Sequence, residues 1–170
     1  MDIFNGDSAM ILIGAALSDL NDEAIEERYY LLSYRAEVLY YEGLFNEAMR
    51  DLDRAEKIAF QLNDSLKIAN VYNLKGLLHE NIQNGDLAIP YLKKALHWFP
   101  SQYRTQWPLS ELHHIHGNLG NYLTFSTASD SAEYHLRRSL ALATEVGQAR
   151  AIAVAHWSLG KLELQQRNAD

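Results

Sequence analysis

Residues 85–100 read GDLAIPYLKKALHWFP. Small residues stand at Ala88 and Ala95, a large aliphatic one at Leu92 lies between them, and Pro100 closes the stretch. Steps of four and three put these three side chains on one face of a helix. The same order recurs as Ala48, Leu52, Ala55 and as Ala132, Leu136, Ser139, and Ala9, Ile13, Ala16 follow it too. The leading alanines are 39, 40 and 44 residues apart. A second series runs twelve residues ahead of the first, with Ala36, Gly76, Gly120 and Gly160 spaced by 40, 44 and 40. Self-similarity at such a period marks stacked supersecondary units.

The two series have a common physical cause. Antiparallel helices approach closely only where neither carries a large side chain, so one helix supplies Gly or Ala and its partner Ala at the crossing. Leu39, Leu52, Leu92, Leu123 and Leu136 are then expected to fill the space on either side of that contact. The pattern predicts helices near 7–18, 23–41, 45–61, 66–82, 86–98, 109–125, 130–146 and 148–166. Gly43 with Asn46, Asn63 with Asp64, Asn84 with Gly85, Pro100 and Gly147 mark the turns. Pro108 suits the first turn of its helix, whereas Pro90, about four residues into its own, is expected to bend the start.

The spacing resembles the tetratricopeptide repeat, whose first helix carries W-x2-L-G-x2-Y and whose second carries A-x3-F before a late proline. The matching positions are Leu32, Ala36, Leu39, Ala48, Leu52 and Ala55, then Tyr72, Gly76, His79, Ala88, Leu92, Ala95 and Pro100, then His116, Leu119, Gly120, Leu123, Ala132, Leu136 and Ser139. Tryptophan is missing from the first position of every copy, and a period of 40 exceeds the family's usual ~34 residues. The longer period is similar to that of kinesin light chains, Pins-type adaptors and MalT-type regulators. The resemblance implies an all-α, right-handed α-solenoid of antiparallel helix pairs. It divides the single array into a helix B at 1–22, repeats at 23–63, 64–104 and 105–147, and a helix A at 148–170. A solenoid buries each face on its neighbour, so unpartnered ends predict exposed apolar surface and a fragment of a longer array.

Composition narrows the function. With 48% hydrophobic and 22% charged residues in 170, the chain can build a continuous core. The net charge of −7 is local: residues 1–27 hold seven acidic side chains and no Lys or Arg. No basic stripe is left to displace counterions from a phosphate backbone, which argues against nucleic acid. The absence of cysteine removes disulfides, thiolate metal sites and cysteine nucleophiles. The apolar run at 9–17 is too short to span a bilayer and lacks a basic flank, so the expectation is a soluble, cytoplasmic chain without membrane contact.

The A helices of a solenoid line its concave side. Within the tetratricopeptide family, groove positions are three or four apart on helix A. Carried on to this sequence, they are Tyr30, Ser33, Glu37 and Tyr41; Asn70, Asn73, Leu77 and Glu80; His114, Gly117, Asn121 and Thr124; and Trp157 with Lys161. Asn70, Asn73 and Asn121 offer donors and acceptors that hold an extended peptide backbone without reading its sequence. Five of ten tyrosines, at 29, 30, 34, 40 and 41, crowd one helix as aromatic anchors or as packing between helices. Lys161 is the clear cation of this set, too little for the basic clamp that holds acidic chaperone tails.

Other motifs weigh less. The run HHIH at 113–116 suggests metal through His113 and His116 with His79 or His156, but His116 and His156 fall at core positions of the repeat. The carboxylates of GLFNEAMRDLDRAE, from Gly43, read as a hydrated face. There is no G-x-S-x-G, phosphate loop or H-E-x-x-H. The expectation is a non-catalytic, cofactor-free module that binds a peptide or protein segment in its concave groove. The alternative is a regulatory segment of a larger bacterial signalling protein, and self-association through the end helices is a third expectation.

Overall fold

The computed structural model describes residues 6–81, 85–100, 106–124 and 129–167. These form eight helices: α1 (Gly6–Asp19), α2 (Ile25–Tyr41), α3 (Phe45–Gln61), α4 (Ser65–Asn81), α5 (Gly85–Trp98), α6 (Gln106–Thr124), α7 (Ser129–Glu145) and α8 (Ala149–Arg167). No strand occurs among the described residues. Each helix packs on its neighbours in the chain, most extensively within α2–α3, α4–α5 and α6–α7.

The small-residue series explains these three hairpins. A methyl group added to Gly76 would stand 2.8 Å from Cγ of Leu92, and one added to Gly120 would stand 2.7 Å from Cγ of Leu136. Both distances are shorter than van der Waals contact, so only glycine lets the partner helix come so close. The expected arrangement is corrected in one respect: the leucines sit directly on the glycines instead of beside them. The partner alanines Ala48, Ala55, Ala88, Ala95 and Ala132 are fully buried. A methyl group added to Gly160 would meet nothing within 4 Å, and Ala9, Ile13 and Ala16 of α1 are only half-buried.

Three turns share one construction. Gly43, Asn63 and Gly147 take positive φ of 76°, 52° and 71°. This lets the next amide reach back to the last helical turn: Leu44 to the Leu39 carbonyl at 2.8 Å, Asp64 to Ala59 at 3.2 Å, Gln148 to Ala143 at 3.0 Å. Asn84 lies outside the described residues. Asp64 then caps α4, accepting from the amides of Leu66 and Lys67 at 3.0 and 3.1 Å. Pro108 falls in the first turn of α6, and Pro90 lies within α5, whose helix runs through it.

Two apolar clusters form the core. One runs from Tyr29 and Leu32 through Leu52, Ile68 and Leu78 to Ile115; the other gathers Leu92, Leu119, Leu123, Leu136 and Leu162, and Leu96 packs against both. Polar staples reinforce the stack. Arg35 of α2 donates Nε and a terminal nitrogen to the Asp51 carboxylate of α3 at 2.6 and 2.7 Å. Buried Lys75 of α4 holds Asp53 at 2.7 Å together with Glu56, which also accepts from Tyr72 at 2.7 Å. The carboxylates of this segment are therefore not merely a hydrated face. Asp51 is buried because α2 brings a guanidinium to it.

The layers differ in a way that sets curvature. Among the described residues α2 touches α4, α4 touches α6 and α6 touches α8, whereas α1, α3, α5 and α7 touch only chain neighbours. The even-numbered helices thus converge and the odd-numbered ones splay, which makes the even-numbered side concave. The chain is an α-solenoid.

Candidate functional site

The convergence of α2, α4 and α6 leaves an open groove of about 520 Å³. It brings together Tyr30, Ser33, Glu37 and Tyr41 of α2, Asn70, Asn73 and Leu77 of α4, and His114 of α6, as helical register predicts. The remaining candidates go elsewhere. Thr124 is buried and donates its hydroxyl to the Gly120 carbonyl of its own helix at 2.9 Å. Gly117 faces Ser139 of α7, whose Oγ lies 3.0 Å from where a methyl group would be. Asn121 is half-buried and Trp157 and Lys161 lie on α8, all outside the groove, with the Lys161 ammonium 4.5 Å from the Trp157 ring centre. The Glu80 side chain lies outside the described residues.

Several groove residues escape register reasoning: Tyr34, Tyr40, Asp64, Lys67, Leu74, Glu111 and Asn118. Asn118 donates its amide to Asn73 Oδ1 at 3.1 Å, tying α6 to α4 across the floor. Lys67, and not Lys161, is the cation of the groove. It pairs with Asp64 at 2.8 Å and Glu26 at 2.9 Å and stands 5.1 Å from the Tyr30 ring centre. Burial opposes its charge, yet its bonds to Asp64 and Glu26 raise its pKa. Its backbone carbonyl accepts the Tyr29 hydroxyl at 3.1 Å, and burial pushes the Tyr29 pKa up to about 12. The N-cap aspartate one turn before it was the available signal for Lys67, whereas Glu111 and Asn118 needed the rotation of α6.

The carboxyls of Glu37 and Glu111 stand on α2 and α6 with α4 between them. Burial raises the pKa of both, and the Glu37 charge adds to the shift at Glu111. His114 lines the groove wall, where the recess around its ring, then His113, lowers its pKa. The other histidines have separate partners. His113 Nε2 meets Gln148 Oε1 at 2.8 Å, His116 Nδ1 meets His135 Nδ1 at 2.8 Å, and His79 stacks on Tyr91. His156, expected in the core, is exposed on α8 because no described helix covers that face. No group of three metal-ligating side chains converges among the described residues.

An α-solenoid with a polar, aromatic concave groove is the class that fold and site define. The crystal structure of BtubC (BKLC) from P. vanneervenii is similar to it, with a TM-score of 0.69 at 16% identity over 95% of this chain and 69% of that one. At that identity the likeness carries the helical-repeat fold alone. No protein-family model and no curated protein sequence matches the chain. No helix among the described residues is long and apolar enough to cross a membrane.

Proposed function

We propose that the chain is a non-catalytic interaction module of tetratricopeptide type, similar to the long-period members of that family, which takes a peptide or protein segment along its concave groove. The observation that carries this reading is the groove floor. Side-chain amides from two helices, Asn70 and Asn73 of α4 and Asn118 of α6, face one open channel walled by tyrosines. Amides can both donate to and accept from an extended backbone, and tyrosine supplies contact area at little entropic cost.

The test is a selection of displayed random peptides on the full chain, followed by calorimetric titration of the selected peptides against variants. Asn70→Ala should weaken binding by about 1 kcal/mol per lost hydrogen bond with helical content unchanged. Asn73→Ala should cost more, because it also frees Asn118. Undiminished affinity in both variants rejects the groove as the binding surface.

A further inference from the structure

We propose that the groove segment carries a lysine or arginine side chain, with its cation seated between Glu37 and Glu111 and flanked by the tyrosines of α2. This rests on the reading of the groove as a peptide-binding surface and adds the chemistry of its occupant. Glu37 and Glu111 line the same channel from α2 and α6, and neither joins an ion pair among the described residues. The lining holds Asp64, Glu37 and Glu111 against Lys67, and Lys67 is already bound by Asp64 and Glu26. Two carboxylates thus remain uncompensated among the described residues. A cation between them relieves their repulsion and complements the groove's charge.

A second observation is independent of charge. Ser33, one turn before Glu37 on the same face, is only 4% exposed and lines the groove, and its Oγ makes no hydrogen bond of ordinary geometry beyond a looser approach to the Tyr29 hydroxyl. Its polar neighbour, the Tyr29 hydroxyl, gives its proton to the Lys67 carbonyl. With its proton turned toward the Tyr29 oxygen, the Ser33 hydroxyl keeps its lone pairs as acceptors beside the groove floor. Carboxylates and a hydroxyl whose proton is directed at Tyr29 form an acceptor set, and lysine and arginine heads carry donors only.

The aromatic wall already takes an ammonium. Lys67 Nζ stands 5.1 Å from the Tyr30 ring centre and 5.7 Å from that of Tyr29. Tyr34, stacked on Tyr30, and Tyr41, edge-on to Tyr40, lie farther along the helix at 56% and 78% exposure, with ring surface left over for a second cation. Burial also raises the pKa of both glutamates, so part of the cost of stripping their water is borne in the free protein.

The experiment uses fluorescein-labelled decapeptide pools whose central position is fixed as arginine, lysine, citrulline or glutamate, the other positions being mixtures of alanine, leucine, serine and tyrosine. Each pool is titrated against the full chain by fluorescence anisotropy. The expected result is that the arginine and lysine pools bind about tenfold tighter than citrulline, and that Glu37→Gln with Glu111→Gln removes the difference. The wild-type ranking decides even if that double variant fails to fold. Equal binding of all pools, lost on Asn70→Ala, overturns the cation site and leaves the groove reading intact. Preference for glutamate overturns it as well. Binding by no pool overturns both readings.

Discussion

The His116 ring shows how burial becomes acid sensitivity. Burial, then the neighbouring His135 and Arg138, lowers its pKa to about 4, against an ordinary value of about 6.5. The unfolded chain therefore binds a proton that the folded chain refuses throughout that window. Stability is complete above pH ~6.5 and falls as the pH drops toward ~4, by on the order of 2 kcal/mol from this residue. Tm measured between pH 7 and 4.5 should decline in the wild type and decline less in His116→Gln, whose amide keeps a hydrogen bond to His135 without titrating. Glu37 has the opposite sign. Burial raises its pKa, so ionising it costs the fold stability as the pH rises past the ordinary carboxyl value. Glu37→Gln should therefore raise Tm at pH 7 by about 1 °C, after discounting for solvent exposure, and leave it unchanged near pH ~3. A group that weakens the fold when charged fits one held for binding.

At the scale of the element, the glycines of the second series are not equivalent. Gly76→Ala and Gly120→Ala drive a methyl group into Leu92 and Leu136, and at Gly120 the backbone nitrogen of Leu136 also stands 3.0 Å away. Urea unfolding should show losses of about 1–3 kcal/mol, larger at Gly120, where the backbone cannot swing aside. Gly160→Ala meets nothing and should gain about 0.5–1 kcal/mol from helix propensity. A loss at Gly160, or no loss at Gly120, contradicts the packing rule. The α4 cap is a second element-level test. Asp64→Ala removes two amide bonds and the Lys67 pair, and should cost about 1–2 kcal/mol by the same measurement.

Across the whole molecule, stability passes from hairpin to hairpin, since among the described residues no helix touches another more than two places along the chain. Leu96 is where the two apolar clusters meet. Leu96→Ala should weaken that junction and broaden the urea transition, with a measured m-value below that of the wild type, while far-UV circular dichroism in water stays unchanged. A sharp, merely shifted transition would mean that the converging even-numbered helices couple the halves without it. The same convergence that joins the hairpins opens the groove, so a change that flattens the stack should weaken peptide binding without touching a groove residue.

The sequence alone determined the helices, their turns and their pairing, because those follow from local rules: a 3.6-residue period, a left-handed residue at a helix end, and a small residue wherever two helices must nearly touch. Register also brought Tyr30, Ser33, Glu37, Tyr41, Asn70, Asn73, Leu77 and His114 to one channel, since residues three or four apart share a face. Only the tertiary structure decided how far each helix is rotated about its own axis. That rotation buried Thr124, turned Gly117 toward α7, and brought Glu111 and Asn118 inward. It also buried Asp51 beside Arg35, a pairing that periodicity on either helix does not contain. A periodic pattern specifies which side chains travel together, and the packing of neighbouring helices specifies where they point.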